Sequence, residues 1–159
     1  MNTLALDPSL SQTGYAVMKE DEVIAHGTLK SNDNQPEGLR LNDLVEQLKM
    51  IIQRFNLHDF AIESPFVGIN PLTAIKLGGV RGVILELAAA NCIDIYEYTT
   101  FEIKKALTNN HSADKEQVNK MVEIITGVKT SNYNISDAVA VGLCHAAKMR
   151  FKKAIERCN

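Results

Sequence analysis

Residues 3–30, TLALDPSLSQTGYAVMKEDEVIAHGTLK, decide the architecture. Thr3–Asp7 is a short apolar run ending on an acid, the pattern of a buried strand. Pro8 and Ser9 break it. Thr13–Met18 (TGYAVM) and Glu22–Lys30 (EVIAHGTLK) are two further strand patterns, joined by the polar turn Lys19-Glu20-Asp21. Three strands linked this closely form a meander. Residues 31–38 (SNDNQPEG) are then a loop rich in turn formers.

Beyond this meander the period changes. Leu41, Val45, Leu48, Ile52 and Phe55 recur at alternating gaps of four and three, which places one apolar stripe on a helix. Asp59–Glu63 (DFAIE) is a fourth strand, again ending on an acid, and Ser64-Pro65 stops it. A long helix is expected over 71–90, with Asn70 as N-cap and Pro71 in the first position. Ile93–Tyr98 is a fifth strand. Thr99 and Thr100 cap a short helix to Leu107, Ser112-Ala-Asp-Lys opens another, and a last helix runs from near Ser136 to about Arg157. The order β-β-β-α-β-α-β-α-α-α predicts an α/β fold: a five-stranded mixed sheet, three antiparallel meander strands plus two parallel, with helices on both faces.

The 159 residues are expected to form one domain, 1–159. Hydrophobic residues are 45% and charged residues 23%, a globular balance that excludes a disordered or fibrous chain. No apolar run approaches the ~18 residues of a membrane span. The N-terminus lacks the pattern of a signal peptide, and three cysteines without a CxxC pair do not make a disulfide framework. These features predict a cytoplasmic protein with no membrane partner. Seventeen basic residues against nineteen acidic ones give a net charge of -2. The split is uneven: residues 1–75 carry a net -5 and residues 76–159 a net +3. That asymmetry leaves room for a basic, nucleic-acid-facing surface.

Three acids stand out. Asp7 and Glu63 each end an apolar strand, and Asp137 precedes the apolar helix Ala138–Leu143. An unpaired buried carboxylate costs several kcal/mol, and none of the three has a Lys or Arg beside it in sequence. Each has an ordinary role open to it: Asp7 in a turn, Glu63 solvated at a strand end, Asp137 at a helix N-terminus. If the first and fourth strands are parallel neighbours, however, Asp7 and Glu63 share the C-terminal edge where α/β sheets collect their sites. Clustered carboxylates repel one another unless hard divalent cations lie between them.

These motifs resemble those of the RuvC Holliday-junction resolvases, within the ribonuclease H/integrase-like superfamily, including its compact phage-type members. LALDPSLSQTGYAV is similar to the family's opening strand-turn-strand. AIESPF followed by NPLTAIKLGGVRGV is similar to its second acidic strand, junction-contacting loop and long helix. IKKALTNNHSADKEQVNKMV and ISDAVAVGLCHA resemble its basic segment and C-terminal acidic helix. The resemblance spans residues 3–147 in order.

The resemblance implies a ribonuclease H-like fold and a homodimer that resolves four-way DNA junctions by paired nicks. It makes Asp7, Glu63 and Asp137 catalytic metal ligands for two Mg²⁺ ions, with Mn²⁺ able to substitute. The family's fourth acid, or histidine, falls at Asn134, which is here an auxiliary. An amide oxygen can ligate Mg²⁺ but carries no charge and cannot act as a base. Weaker metal binding and an inactivating Asp→Asn change both remain open. Lys104 and Lys115 fall where the family contacts DNA. Lys76, Arg81 and Lys105 are further phosphate-binding candidates, as is His111 in its loop. Phe66 is expected to stack or wedge at the junction centre. His145, past Asp137 on the last helix, reads as a packing residue. Gly78, Gly79 and Gly82 on the long helix point to close approach, part of it to a second copy of the chain.

The expected activity is a metal-dependent, structure-selective crossover junction endodeoxyribonuclease of DNA recombination and repair. Two alternatives stay open: a broader nuclease that also cuts branched forks and flaps, and a junction-binding protein whose cleavage is impaired by Asn134. A sugar kinase-type phosphotransferase lacks the Gly-rich phosphate loops it would need. Any branch-migration machinery that serves as a partner is not identified by the sequence.

Overall fold

The computed structural model describes residues 1–64 and 70–158. Phe66, the expected stacking residue, lies outside them. The strands are β1 (Asn2–Asp7), β2 (Gln12–Lys19), β3 (Glu22–Lys30), β4 (Leu57–Glu63) and β5 (Asp94–Tyr98). The helices are α1 (Glu37–Arg54), α2 (Pro71–Ala90), α3 (Thr100–Thr108), α4 (Lys115–Thr126) and α5 (Tyr133–Cys158). The sheet runs β3-β2-β1-β4-β5. β1, β2 and β3 pair antiparallel, while β4 lies parallel to both β1 and β5. This is the mixed sheet expected from the sequence. None of the helices among the described residues is long and apolar enough to cross a membrane.

Strand parity divides the core in two. Leu4, Leu6, Phe60 and Ile62 point to one face of the sheet, where they meet Leu44 and Leu48 of α1 and Val80 and Ile84 of α2. Ala5 and Ala61 point to the other, against Ala138 and Val141 of α5, with α3 and α4 packed beyond. Successive side chains alternate across a strand. Asp7 therefore falls on the face of Ala5, and Glu63 on the face of Ala61.

Small residues let α5 lie close on this face. A methyl group at Gly142 would collide with the Met18 sulfur and stand 3.1 Å from the Ala5 Cβ. One at Gly14 would collide with the carbonyl of Asn134. The helix begins three residues before the expected Ser136, because the Asn132 side chain accepts from the Asn134 N–H at 3.0 Å and so caps an earlier turn. Asn134 and Asp137 thereby share the start of one helix, pinned to the middle of the sheet.

Candidate active site

Asp7 ends β1 and Glu63 ends β4. The register pairs Leu6 with Ile62, so the two carboxylates leave adjacent parallel strands at the same edge. Glu63 in turn sits opposite Tyr98 of β5. The start of α5 crosses above them and supplies Asp137. The three acids line one cleft of about 220 Å³ together with Thr100, Lys104 and Lys115. Ile103, Val118 and Ala140 form its apolar wall.

The electrostatics of the cleft are strained. Burial pushes the Asp7 carboxyl up to about 7, and repulsion from Asp137 and then Glu63 adds to it. Burial also raises Glu63, against the hydrogen bond it accepts from the Thr100 hydroxyl. Asp137 is raised by burial too, opposed by Lys115. The Lys115 ammonium stands 3.6 Å from Asp137 Oδ2 and 5.8 Å from the centre of the Tyr133 ring. It is an exposed side chain reaching in, and its single charge does not offset three carboxylates. Among the described residues no group of three or more His, Cys, Asp or Glu side chains is drawn together as a closed metal-binding cluster. The cleft is instead a set of hard oxygen donors around an electron-rich hollow, a chemistry suited to Mg²⁺-like cations.

The remaining sequence candidates separate into groups. Lys104 is half-buried and lines the cleft. Lys76 and Lys105 are exposed on α2 and α3 and are not among the residues that line the cleft. Arg81 is held by Glu97: its Nε donates to Oε2 at 2.8 Å and its Nη2 to Oε1, which ties α2 to β5. His111 is exposed and stacks on Phe101. Asn134 is not among the residues lining the cleft. Its side-chain amide donates to the Gln12 carbonyl at 3.2 Å, joining α5 to β2.

Two features escaped the sequence reading. Thr100, taken only as a helix cap, orients Glu63; its place just beyond the end of β5, level with both strand-end acids, was the available signal. His145, expected to pack, sits in a buried polar chain. Its Nδ1 lies 2.8 Å from the Tyr98 hydroxyl and its Nε2 3.4 Å from Asp59 Oδ2. Burial holds the imidazole below its ordinary value despite Asp59. This chain links α5, β5 and β4, the elements that carry Asp137 and Glu63 and lead into Thr100. Nothing in the local sequence joins three residues so far apart.

Comparison with known proteins bears on the family and the fold. A family model described as crossover junction endodeoxyribonuclease RuvC matches residues 3–145. The protein of that name from Ehrlichia canis is 39% identical over 150 residues, covering 92% of this chain and 96% of its own. That from Pseudothermotoga lettingae is 35% identical over 153 residues, covering 92% and 94%. Among solved structures, Thermus thermophilus RuvC in complex with a Holliday junction substrate superposes with a TM-score of 0.87 at 25% identity, covering 96% of each chain. The yeast mitochondrial Holliday junction resolvase shares the fold, with a TM-score of 0.63 at 13% identity, covering 96% of this chain and 82% of its own.

Proposed function

The chain belongs to the RuvC family of crossover junction endodeoxyribonucleases, and we propose that it resolves four-way DNA junctions by hydrolysing paired phosphodiester bonds at the cleft of Asp7, Glu63 and Asp137. The observation that carries this reading is the convergence of three desolvated carboxylates at one sheet edge, with Lys104 and Lys115 beside them. A site meant only for stability would not gather like charges that raise one another's proton affinity.

The donor set fits Mg²⁺, with Mn²⁺ as a substitute. Asp7, on the central strand, faces both other acids and is the ligand that two ions would share. Glu63 and Asp137 would each hold one. Such a pair, when bound, supplies activation of a water and charge stabilisation at the leaving 3′ oxygen. The chain's own groups do the rest. Thr100 holds Glu63 in one orientation by donating to it. Lys115 opposes the burial that raises Asp137, and its exposed side chain would turn toward a phosphate. Lys104 adds positive charge at the cleft wall. Asp7 must lose the proton it keeps to about pH 7, so cation binding releases protons and strengthens as pH rises through neutrality.

DNA would lie along the basic side of the cleft. Lys76 and Lys105 extend that charge over exposed helix surfaces. Each phosphate contact steepens the loss of affinity with salt. The outer face of α2 is suited to a second copy of the chain. Leu72 and Ile75 are each 69% exposed, and beside Gly78 and Gly82 there is open space. A homodimer through this face would present two clefts to two opposed strands.

The decisive experiment incubates the full chain with Mg²⁺ and synthetic four-way, three-way and flap substrates. Symmetric nicking of the four-way junction is expected. Absence of nicking there, with cutting of flaps instead, would overturn the reading. The hydrogen bond from Asn134 to Gln12 gives the amide a structural role that a carboxylate could not fill. Activity in the unaltered chain would mean that three acids suffice. Activity that appears only in Asn134→Asp would mean that the junction is bound but not cut.

A further inference from the structure

Phe101 breaks the pattern of its helix. α3 buries Ile103 and Leu107 against the α5 side of the core. Phe101 lies two residues before Ile103, roughly 200° around the helix from it, so its ring faces away from the core. It is 51% exposed. Its neighbour is a polar ring: the His111 imidazole, from the loop between α3 and α4, stacks on it with centroids 4.9 Å apart and planes 21° from parallel. The Ser112 hydroxyl lies 3.1 Å from His111 Nδ1 and orients it. The loop itself is held by Asn110, whose Oδ1 accepts from the Ser112 N–H at 3.0 Å. Two flat rings thus stand together at the surface, one on α3 and one on a fixed loop.

Their position gives the pair its meaning. Phe101 immediately follows Thr100, which donates to Glu63. It precedes the cleft-lining Lys104 by three residues and the exposed Lys105 by four, so one helix turn joins the ring to both cations. The acids of the cleft are meant for cations and these lysines for phosphate. Two rings near the cleft are open to solvent: Tyr133, 41% exposed, has the Lys115 ammonium over it, whereas Phe101, 51% exposed, has only the His111 ring against it among the contacts described.

We propose that the Phe101–His111 pair is a base-stacking subsite, on which an unstacked nucleobase next to the cleaved phosphate packs. This rests on the cleft being the cleavage site. Every base has a π-face, so such a platform accepts all four. Purines, with the larger face, stack best. The subsite favours a DNA strand opened at the cut over one locked in a regular duplex.

The test measures junction binding and nicking by the full chain, with Phe101→Ala, Phe101→Leu, Phe101→Trp and His111→Ala. Phe101→Ala should bind a four-way junction about tenfold more weakly, the loss of one stacked base. Its salt dependence should be unchanged, since no charge is removed. Phe101→Trp should restore affinity and Phe101→Leu should not. His111→Ala should show a smaller loss in the same direction. A junction made abasic at the contacted nucleotide should bind the unaltered chain and Phe101→Ala equally. Thermal unfolding of each variant reports on the fold. Restoration by Leu as complete as by Trp would make Phe101 a packing residue and overturn the subsite. So would equal binding of all variants to the intact junction. If the unaltered chain neither binds nor nicks four-way junctions, the nuclease reading fails and this subsite with it. If it does both and Phe101→Ala matches it, the subsite alone fails.

Discussion

The two faces of the sheet are built from different materials. The face under α1 and α2 is filled with large aliphatic side chains and Phe60, and among its buried residues it holds no charged group. The face under α5 sets Ala5, Ala16 and Ala61 of the sheet against Ala138, Gly142 and other residues of α5, with larger side chains such as Met18, Val139, Ile103 and Leu107 also in its core, and carries Asp7, Glu63, Asp59 and His145 at its margins. Large side chains gain stability in proportion to the area they bury. Small ones let backbones approach, and close approach is what brings a helix carboxylate to two strand carboxylates. One face holds the molecule together; the other gives up packing volume to position like charges.

The sharpest way to break this comparison is to remove a charge from the site face. Asp7→Asn should reduce nicking by about a thousandfold, the scale of losing one electrostatic stabiliser of the transition state, while junction binding persists. The same change should stabilise the metal-free fold. In the unfolded chain Asp7 ionises near 3.8, and in the fold near 7. The fold therefore binds more protons between those values, and stability present at acid pH is lost as pH rises through that window. For Asp7 alone that loss is on the order of 4 kcal/mol across the whole window. Urea unfolding without metal at pH 5 and pH 8 should show it. Mg²⁺ should reverse it, and Asp7→Asn should remove the share due to Asp7, leaving that of Glu63 and Asp137 and the opposite contribution of His145. A metal-free pH dependence identical in Asp7→Asn and the unaltered chain would contradict the strain assigned to this site.

The opposite face should answer in stability alone. Leu48 of α1 is fully buried against the sheet. Leu48→Ala should cost about 2–5 kcal/mol in urea unfolding, with nicking at low temperature within a few-fold of the unaltered chain. Gly142→Val should show both effects. The added carbons have no room between α5 and β1/β2, so overpacking costs about 1–3 kcal/mol. Nicking should fall beyond what stability explains, because α5 carries Asp137 away from Asp7. Equal activity losses in Leu48→Ala and Gly142→Val would erase the distinction between the faces.

The smallest effect belongs to Arg81. Its pairing with Glu97 is partly exposed, and such pairs are worth ~0–1 kcal/mol. Arg81→Ala should shift stability by no more than that. It should also leave the salt dependence of junction binding nearly unchanged, since the guanidinium is already occupied. A loss of about one unit of salt slope would return Arg81 to the phosphate-binding group.

Much of this was legible in the chain because it is local. Pro8, the Lys19–Asp21 turn, the stripe of Leu41 to Phe55 and the Asn70-Pro71 cap mark the elements within a few residues of their true ends. The alternation in LALD and FAIE also fixes which face each acid takes once a sheet forms. Other features were hidden because they join distant segments. Thr100 meets Glu63 across 37 positions, and Asn134 meets Gln12 across 122. Arg81 and Lys115 read alike as basic residues, yet one is engaged by Glu97 and the other reaches Asp137.

The sequence by itself determined the five strands, the helices between them and three acids at the ends of apolar segments. Periodicity and turn chemistry act over neighbouring residues and need no tertiary partner. Only the tertiary structure decided that the acids share one cleft, that Lys115 rather than Arg81 faces them, and that a surface phenylalanine stacks beside them. Those outcomes depend on how closely α5 descends onto Ala5, Gly14 and Met18, a distance set by packing of side chains more than a hundred residues apart.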